Sequence, residues 1–245
     1  MMFVRYLDRR FYPEVGDNWD DRLFRAFILR RIKADHTVLD IGAGAGIIPD
    51  MNMRGHAARV CGIDPDPRVL QNPYLDEGAV GVGEHLPYPD ATFDVVFCDN
   101  VVEHLTDPER VFAEIFRVLR PGGRFLFKTP NRRHYMPVLA QATPDWFHKF
   151  YNRIRGREAE DTFPTVYAAN TPEAVREFAG KTGFVPGEIV LTESRPEYLR
   201  ITAPTYLFGI AWERAVNAFE GLARFRILLI GELIKPDIVA VGANA

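Results

Sequence analysis

Through the first half of the chain, short apolar runs alternate with segments whose apolar residues recur at helical spacing. That alternation predicts a parallel sheet covered by helices. Leu23, Phe24, Phe27, Ile28 and Ile32 form one helical face behind the capping candidates Asp20 and Asp21, leading into a first strand, Thr37-Val38-Leu39-Asp40-Ile41, that ends at Gly42. Further strands are expected at 59–63, more weakly at 79–82, and at 93–98. Asp107-Pro108 then start a helix with the apolar face Val111, Phe112, Ile115, Phe116 and Leu119, and Pro121-Gly122-Gly123 stop it before a fifth strand at 123–128.

After Pro130 the pattern changes. Residues 131–170 are rich in aromatics and Arg, lack strand alternation and exceed an ordinary loop, so a helical insertion is expected. Thr171-Pro172-Glu173 open another helix through Lys181, closed by Gly183. Strands follow at 187–191 and 225–233, separated by an amphipathic helix from about Thr205 to Leu222 whose polar side carries Glu213, Arg214, Asn217 and Glu220.

The composition, 245 residues with 47% apolar and 26% charged, is that of a globular chain and excludes a largely disordered one. A single domain over 1–245 is expected: an N-terminal arm and helix (1–34), a core (35–130), the insertion or lid (131–170) and the C-terminal part of the sheet (171–245). Thirty Lys and Arg against 33 Asp and Glu give a net charge of −3, which disfavours a general nucleic-acid binder. Cys61 and Cys98 have no CxxC or Cys/His neighbour, so neither a metal site nor a disulfide is indicated and a reducing cytoplasm is the simplest location. Charges at Arg5, Asp8, Arg9 and Arg10 argue against a signal peptide, and the apolar run 227–234 is far below the ~20 residues of a membrane span.

The net charge conceals a local reversal. Residues 131–157 carry Arg132, Arg133, Lys149, Arg153, Arg155 and Arg157 against the single acid Asp145, interleaved with Tyr135, Trp146, Phe147, Phe150 and Tyr151. An anionic, partly apolar partner would fit: a lipid headgroup, a membrane surface touched peripherally, a phosphorylated or sugar-linked acceptor, or a single strand of nucleic acid. A lid with solvated Arg side chains fits equally.

Candidate chemistry centres on Val38-Leu39-Asp40-Ile41-Gly42-Ala43-Gly44-Ala45-Gly46, an acid at a strand end followed by three alternating glycines. Without Cβ atoms such a loop turns sharply and lets a ligand lie on bare backbone. The dinucleotide pattern G-x-G-x-x-G would need glycine at Ile47, so an NAD(P)-dependent oxidoreductase loses ground. Asp64, eighteen residues after Gly46 at the end of the second strand, can accept hydrogen bonds from both hydroxyls of a ribose. Taken alone, the loop could be a tight turn and Asp64 a helix cap; together they imply a nucleoside ligand.

Residues 35–131 resemble the class I S-adenosylmethionine-dependent methyltransferases, especially their small-molecule group, through VLDIGAGAG (38–46), GIDPDP (62–67), GEHLPYPDATFDVVFCDNVVEHL (83–105) and RVLRPGGRFLFKTPN (117–131). The resemblance implies an α/β, Rossmann-like seven-stranded sheet in the order 3-2-1-4-5-7-6, the last strand antiparallel. It implies S-adenosyl-L-methionine as cofactor, with Asp40, Ala43 and the backbone of Gly42, Gly44 and Gly46 around its methionyl part and ribose. Asp64 would hold the ribose hydroxyls, Pro65 an adenine face, Gly83 and Glu84 the adenine edge, and Cys98, Asp99 and Asn100 the methionine moiety. Two departures stand out: Val82 occupies the position where an Asp commonly bonds the adenine amino group, and Pro49 limits the helix after the glycine loop. Met51 and Met53 there read as core filling.

Methyl transfer from a sulfonium needs alignment and exclusion of water more than elaborate catalytic groups. An oxygen acceptor must also lose a proton, which makes His104, His134 and His148, with Tyr135, candidates for the acceptor side; no catalytic base is assigned. The expected function is methylation of a small-molecule or lipid-like acceptor at oxygen. A catalytically silent cofactor-binding partner is the alternative class. Nucleic-acid amino methylation is disfavoured, since Asp99-Asn100-Val101-Val102 stands where such proteins carry Asn/Asp-Pro-Pro-aromatic.

Overall fold

A computed structural model of the chain describes residues 2–142 and 164–237. Seven strands form one sheet: β1 (Thr37–Ile41), β2 (Arg59–Asp64), β3 (Glu77–Val80), β4 (Phe93–Asp99), β5 (Leu119–Pro130), β6 (Val185–Thr192) and β7 (Leu228–Ile234), in the order β3-β2-β1-β4-β5-β7-β6. The first five run parallel to one another, and β7 lies antiparallel between β5 and β6. Among the described residues six α-helices accompany them: α1 (Met2–Phe11), α2 (Trp19–Leu29), α3 (Pro108–Val118), α4 (Tyr135–Ala142), α5 (Pro172–Thr182) and α6 (Ala203–Ala218). The expected sheet order and antiparallel last strand are present.

Alternation along the central strands divides the core into two layers. In β4, Phe93, Val96 and Cys98 face α3 and α5, where Val111, Phe112, Ile115, Val175 and Ala179 are buried. Val95 and Phe97 face the other way, against Phe24, Phe27 and Ile28 of α2 and the buried Met51 and Met53. The two methionines are therefore core residues, as expected. Pro49 starts only a three-residue 3-10 turn, Pro49–Met51, where a helix would otherwise follow the glycine loop.

Several boundaries differ from expectation for local reasons. The N-terminal arm contains α1, whose Leu7, with Tyr12 just beyond it, packs on Tyr206 and Ile210 of α6. Asp20 and Asp21 do not cap α2: Asn18 holds the N-cap position, and both carboxylates turn inward to Lys128. β3 lies two residues earlier than its pattern suggests. Leu119 and Pro121-Gly122-Gly123 belong to β5, and Leu119 pairs with Phe93 across a register shift. Residues 220–225 form a 3-10 turn, so the last strand starts at Leu228 and not at 225. Glu213, expected on the polar side of α6, is buried and accepts a hydrogen bond from the Tyr12 hydroxyl at 3.0 Å. His148 and most of the basic and aromatic stretch, including Lys149, Arg153, Arg155 and Arg157, lie outside the described residues.

Candidate active site

Because β6 runs parallel to β5, the carboxyl ends of β1, β2, β4, β5 and β6 and the start of β7 all lie on one edge of the sheet. A cavity of about 700 Å³ opens along that edge. Its wall includes Gly42, Asp64, Pro65, Asp99 and Asn100 over β1, β2 and β4, and His134, Glu193 and Ile227 over β5, β6 and β7. At ~4.8 Å per strand, the three steps from β4 to β6 cover about 14 Å, so the two halves are separate stations of one cleft.

The three glycines of the first loop all have positive φ, +80° at Gly42, +51° at Gly44 and +71° at Gly46, a backbone region that favours glycine. They are not equivalent. A Cβ on Gly42 would lie 2.4 Å from Val101 Cγ2 and one on Gly46 would lie 2.2 Å from Asn72 Oδ1, whereas one on Gly44 would meet nothing closer than Asp64 Oδ2 at 3.9 Å. Asn72 fastens the loop by donating to the Ala43 and Gly44 carbonyls at 2.9 and 3.2 Å. Asp64 Oδ2 accepts the Gly44 N–H at 2.9 Å, and Oδ1 accepts the Asp66 N–H at 2.8 Å.

Asp40, Asp64 and Asp99 end or nearly end three adjacent strands. Burial, then the charges of Asp99 and Asp64, push the Asp40 carboxyl well above the usual range. Burial raises Asp99 to about 7 against the pull of Lys128. Lys128 Nζ lies 2.9 Å from Asp99 Oδ1 as an ion pair, whereas the buried Oδ2 has no hydrogen-bond partner among the described residues. A carboxylate in a cavity wall with one buried oxygen unsatisfied fits a cationic, hydrogen-bond-donating ligand group. A nucleoside bearing an ammonium group has that character, and the Asp64 carboxylate and the open space beside Gly44 fit its sugar end.

Not every expected residue faces the cavity. The Cys98 side chain is buried in the α3-side core and its thiol is pushed well above its usual value by burial, so a ligand could meet only its backbone. Gly83 packs 3.1 Å, measured from an added Cβ, from Val111 Cγ1, and the Glu84 carbonyl accepts from Arg110 Nε. Neither they nor Asp40, Ala43, Gly44, Gly46 or Cys98 belong to the wall set, which takes Gly42, Asp64, Pro65, Asp99 and Asn100 from the expected residues.

The second half brings the expected His104, His134 and Tyr135 together with Glu103, Glu193 and Arg195, which sequence patterns did not single out. Glu103 accepts from Thr129 Oγ1 at 2.8 Å and is raised to about 7 by burial; Glu193 accepts the Ile227 N–H at 2.9 Å and is raised to about 8 by burial. His134 Nδ1 accepts the Met136 N–H, and burial lowers the ring to about 3, which makes it a poor base at neutral pH. His104 Nδ1 donates to the Pro164 carbonyl at 2.9 Å. Arg195 is committed to the Val15 and Gly16 carbonyls and to Asp17 and Glu197, fastening the N-terminal segment across the cleft. Lys128 had a visible signal: a lone charge at an inward position of the apolar run Phe125 to Phe127 must be paired if buried.

A family model for the methyltransferase domain matches residues 39–127. The ubiquinone biosynthesis O-methyltransferase of Thiobacillus denitrificans is 31% identical over 159 residues, 61% of this chain and 68% of that protein. The chain belongs to the class I S-adenosylmethionine-dependent methyltransferases. A Mycolicibacterium smegmatis protein named a probable S-adenosylmethionine-dependent methyltransferase is 36% identical over 157 residues, 57% of this chain, so the match spans about three fifths (59%) of that relative. The crystal structure of YcgJ from Bacillus subtilis shares the fold, with a TM-score of 0.54 at 19% identity over 88% of this chain and 99% of its own. The glycine loop of this methyltransferase accords with that membership: the 3-10 turn at Pro49–Met51 replaces the helix N-terminus on which a dinucleotide-binding site seats its pyrophosphate.

Among the described residues no helix is long and apolar enough to cross a membrane, and no group of three or more His, Cys, Asp or Glu could hold a metal ion.

Proposed function

We propose that this methyltransferase moves the methyl group of S-adenosyl-L-methionine to a hydroxyl oxygen of an uncharged small-molecule or lipid-like acceptor. The observation that carries the reading is the single cleft joining the Asp64–Asp99 half to the Glu103–Glu193 half. The O-methyltransferase name of the Thiobacillus relative supports oxygen as acceptor atom. The wall argues against an anionic acceptor: it carries Asp17, Asp20, Asp64, Asp99, Glu103 and Glu197, while its Arg195 is already engaged. Such a surface repels phosphate.

In this reading Asp64 holds the ribose hydroxyls and Pro65 lies on the adenine. Asp40, Ala43 and the backbone of Gly42, Gly44 and Gly46 surround the ribose and methionyl part. Cys98 through its backbone, Asp99 and Asn100 hold the amino-acid end, and Gly83 and Glu84 remain candidates for the adenine edge. When bound, the cofactor supplies an activated methyl on a positively charged sulfur. The protein aligns the acceptor and keeps water out with Trp19, Tyr135, Tyr167 and Tyr198 in the wall. Glu103, brought by burial to about 7, is a group able to take the hydroxyl proton near neutral pH, whereas Glu193, raised to about 8, still holds its own proton there.

Calorimetry with S-adenosylmethionine, followed by a screen of hydroxyl, amine and phosphorylated acceptors, tests the proposal. Saturable cofactor binding lost in Asp64→Ala, with methylation of a neutral hydroxyl compound, is expected. Cofactor binding with methylation confined to amines or phosphorylated compounds would overturn the acceptor assignment.

A further inference from the structure

Lys128 sits on a central strand with its side chain fully buried, 0% exposed, and faces three carboxylates. Nζ lies 3.1 Å from Asp20 Oδ2, 2.5 Å from Asp21 Oδ1 and 2.9 Å from Asp99 Oδ1. Asp20 and Asp21 belong to the first turn of α2, Asp99 to the end of β4. One positive charge therefore serves two elements that are far apart in sequence. The same N-terminal segment contributes Asp17, Trp19 and Asp20 to the cavity wall.

We propose that Lys128 is a positioning residue that divides its charge between Asp99 and the acidic first turn of α2, making cofactor binding and the seating of that helix one coupled equilibrium. The inference rests on the assignment of Asp99 to the cofactor's amino-acid end. Without a ligand, Lys128 must neutralise Asp99 as well as the helix. An ammonium arriving at Asp99 takes over that duty and leaves Lys128 to Asp20 and Asp21, which tightens α2 over the cleft. Reciprocity requires that a well-seated α2 favour binding.

The charges that face Asp99 give the coupling a sign. Lys128 on β5 favours its ionised form, Asp21 and Asp20 on α2 oppose it, and Asp40 on β1 lies close enough to feel it. Binding of an ammonium needs Asp99 ionised, so affinity is full above the Asp99 midpoint and falls as pH drops through it. Lys128→Met raises that midpoint. Asp21→Asn lowers it. Loss of packing alone would weaken binding in both variants without moving the midpoints apart.

The test is calorimetric titration of the full chain with S-adenosylhomocysteine between about pH 5.5 and 8.5, with 5′-methylthioadenosine, which lacks the amino-acid end, as control. Wild-type affinity for S-adenosylhomocysteine should fall about tenfold per pH unit below its midpoint, while methylthioadenosine shows no such fall. The midpoint should move up in Lys128→Met and down in Asp21→Asn, and S-adenosylhomocysteine should slow hydrogen exchange of residues 19–29 several-fold in wild type only. If Lys128→Met does not fold, the downward shift in Asp21→Asn decides. Binding with midpoints unmoved, or moved in the same direction, overturns this inference and leaves the cofactor reading standing. Absence of S-adenosylhomocysteine binding in wild type overturns both.

Discussion

His134 Nε2 and Glu193 Oε2 face each other at 3.4 Å with side chains only 1% and 2% exposed. The His134 ring is lowered to about 3 and the Glu193 carboxyl raised to about 8, so at neutral pH burial keeps both in their uncharged forms. The folded state therefore binds the Glu193 proton more tightly than the unfolded chain does. That stabilising contribution is complete below the ordinary glutamate value of about 4.5 and is lost as pH rises through about 8. Glu193→Gln keeps an oxygen for the Ile227 N–H and cannot ionise. Its melting temperature relative to wild type should rise by about 10 °C between pH 5 and pH 8. A difference independent of pH in paired thermal melts would mean that Glu193 does not titrate in this range.

The glycine loop separates stability from ligand binding. Gly42→Ala places a methyl 2.4 Å from Val101 Cγ2 at a positive φ, and should cost about 2–4 kcal/mol through overpacking and backbone strain. Gly44→Ala meets no clash, so strain alone costs about 1–2 kcal/mol. Its methyl would nevertheless stand beside Asp64, and cofactor affinity should fall at least about tenfold, or about 1.4 kcal/mol. Urea melts and calorimetry on the two variants should rank them oppositely for stability loss and for binding loss per unit of stability lost.

Thr129 joins two loops above the sheet by donating to Glu103 Oε2 at 2.8 Å and accepting from Asn170 Nδ2 at 2.6 Å. Thr129→Val preserves shape and removes both bonds, which should cost about 1–3 kcal/mol. Thr129→Ser should recover most of it. Equal urea midpoints for Val and Ser would show that the hydroxyl contributes nothing.

Much of the Gly42–Asp99 half of the cleft was legible in the sequence, because local pattern and local structure coincide there. β1, β2 and β4 are short apolar runs, and Asp64 follows directly from its place at a strand end. Leu119 continues the apolar face of α3 at helical spacing although it is the first residue of β5, so the pattern alone hides that boundary. The edge strand β3, exposed at both ends, has too weak an alternation to fix its register. The pairing of Lys128 with Asp20 and Asp21 joins residues more than one hundred positions apart, and no periodicity encodes it. Arg195 and Glu193 likewise acquire their surroundings only when β6 and β7 pair and bring Ile227 and the N-terminal segment alongside.

The sheet order has a consequence for how this protein could change its chemistry over time. The glycine loop, Asp64 and Asp99 are supplied by residues 40–100, whereas the opposite end of the cleft draws on Tyr135, Glu193 and Tyr198 beyond the fifth strand. Altering the latter leaves the packing of Gly42 on Val101 and of Gly46 on Asn72 intact. On the proposed reading the architecture works as a fixed socket with an exchangeable tool holder: new acceptors would be selected by rewriting segments around 135 and 193–198 without rebuilding the glycine-loop end.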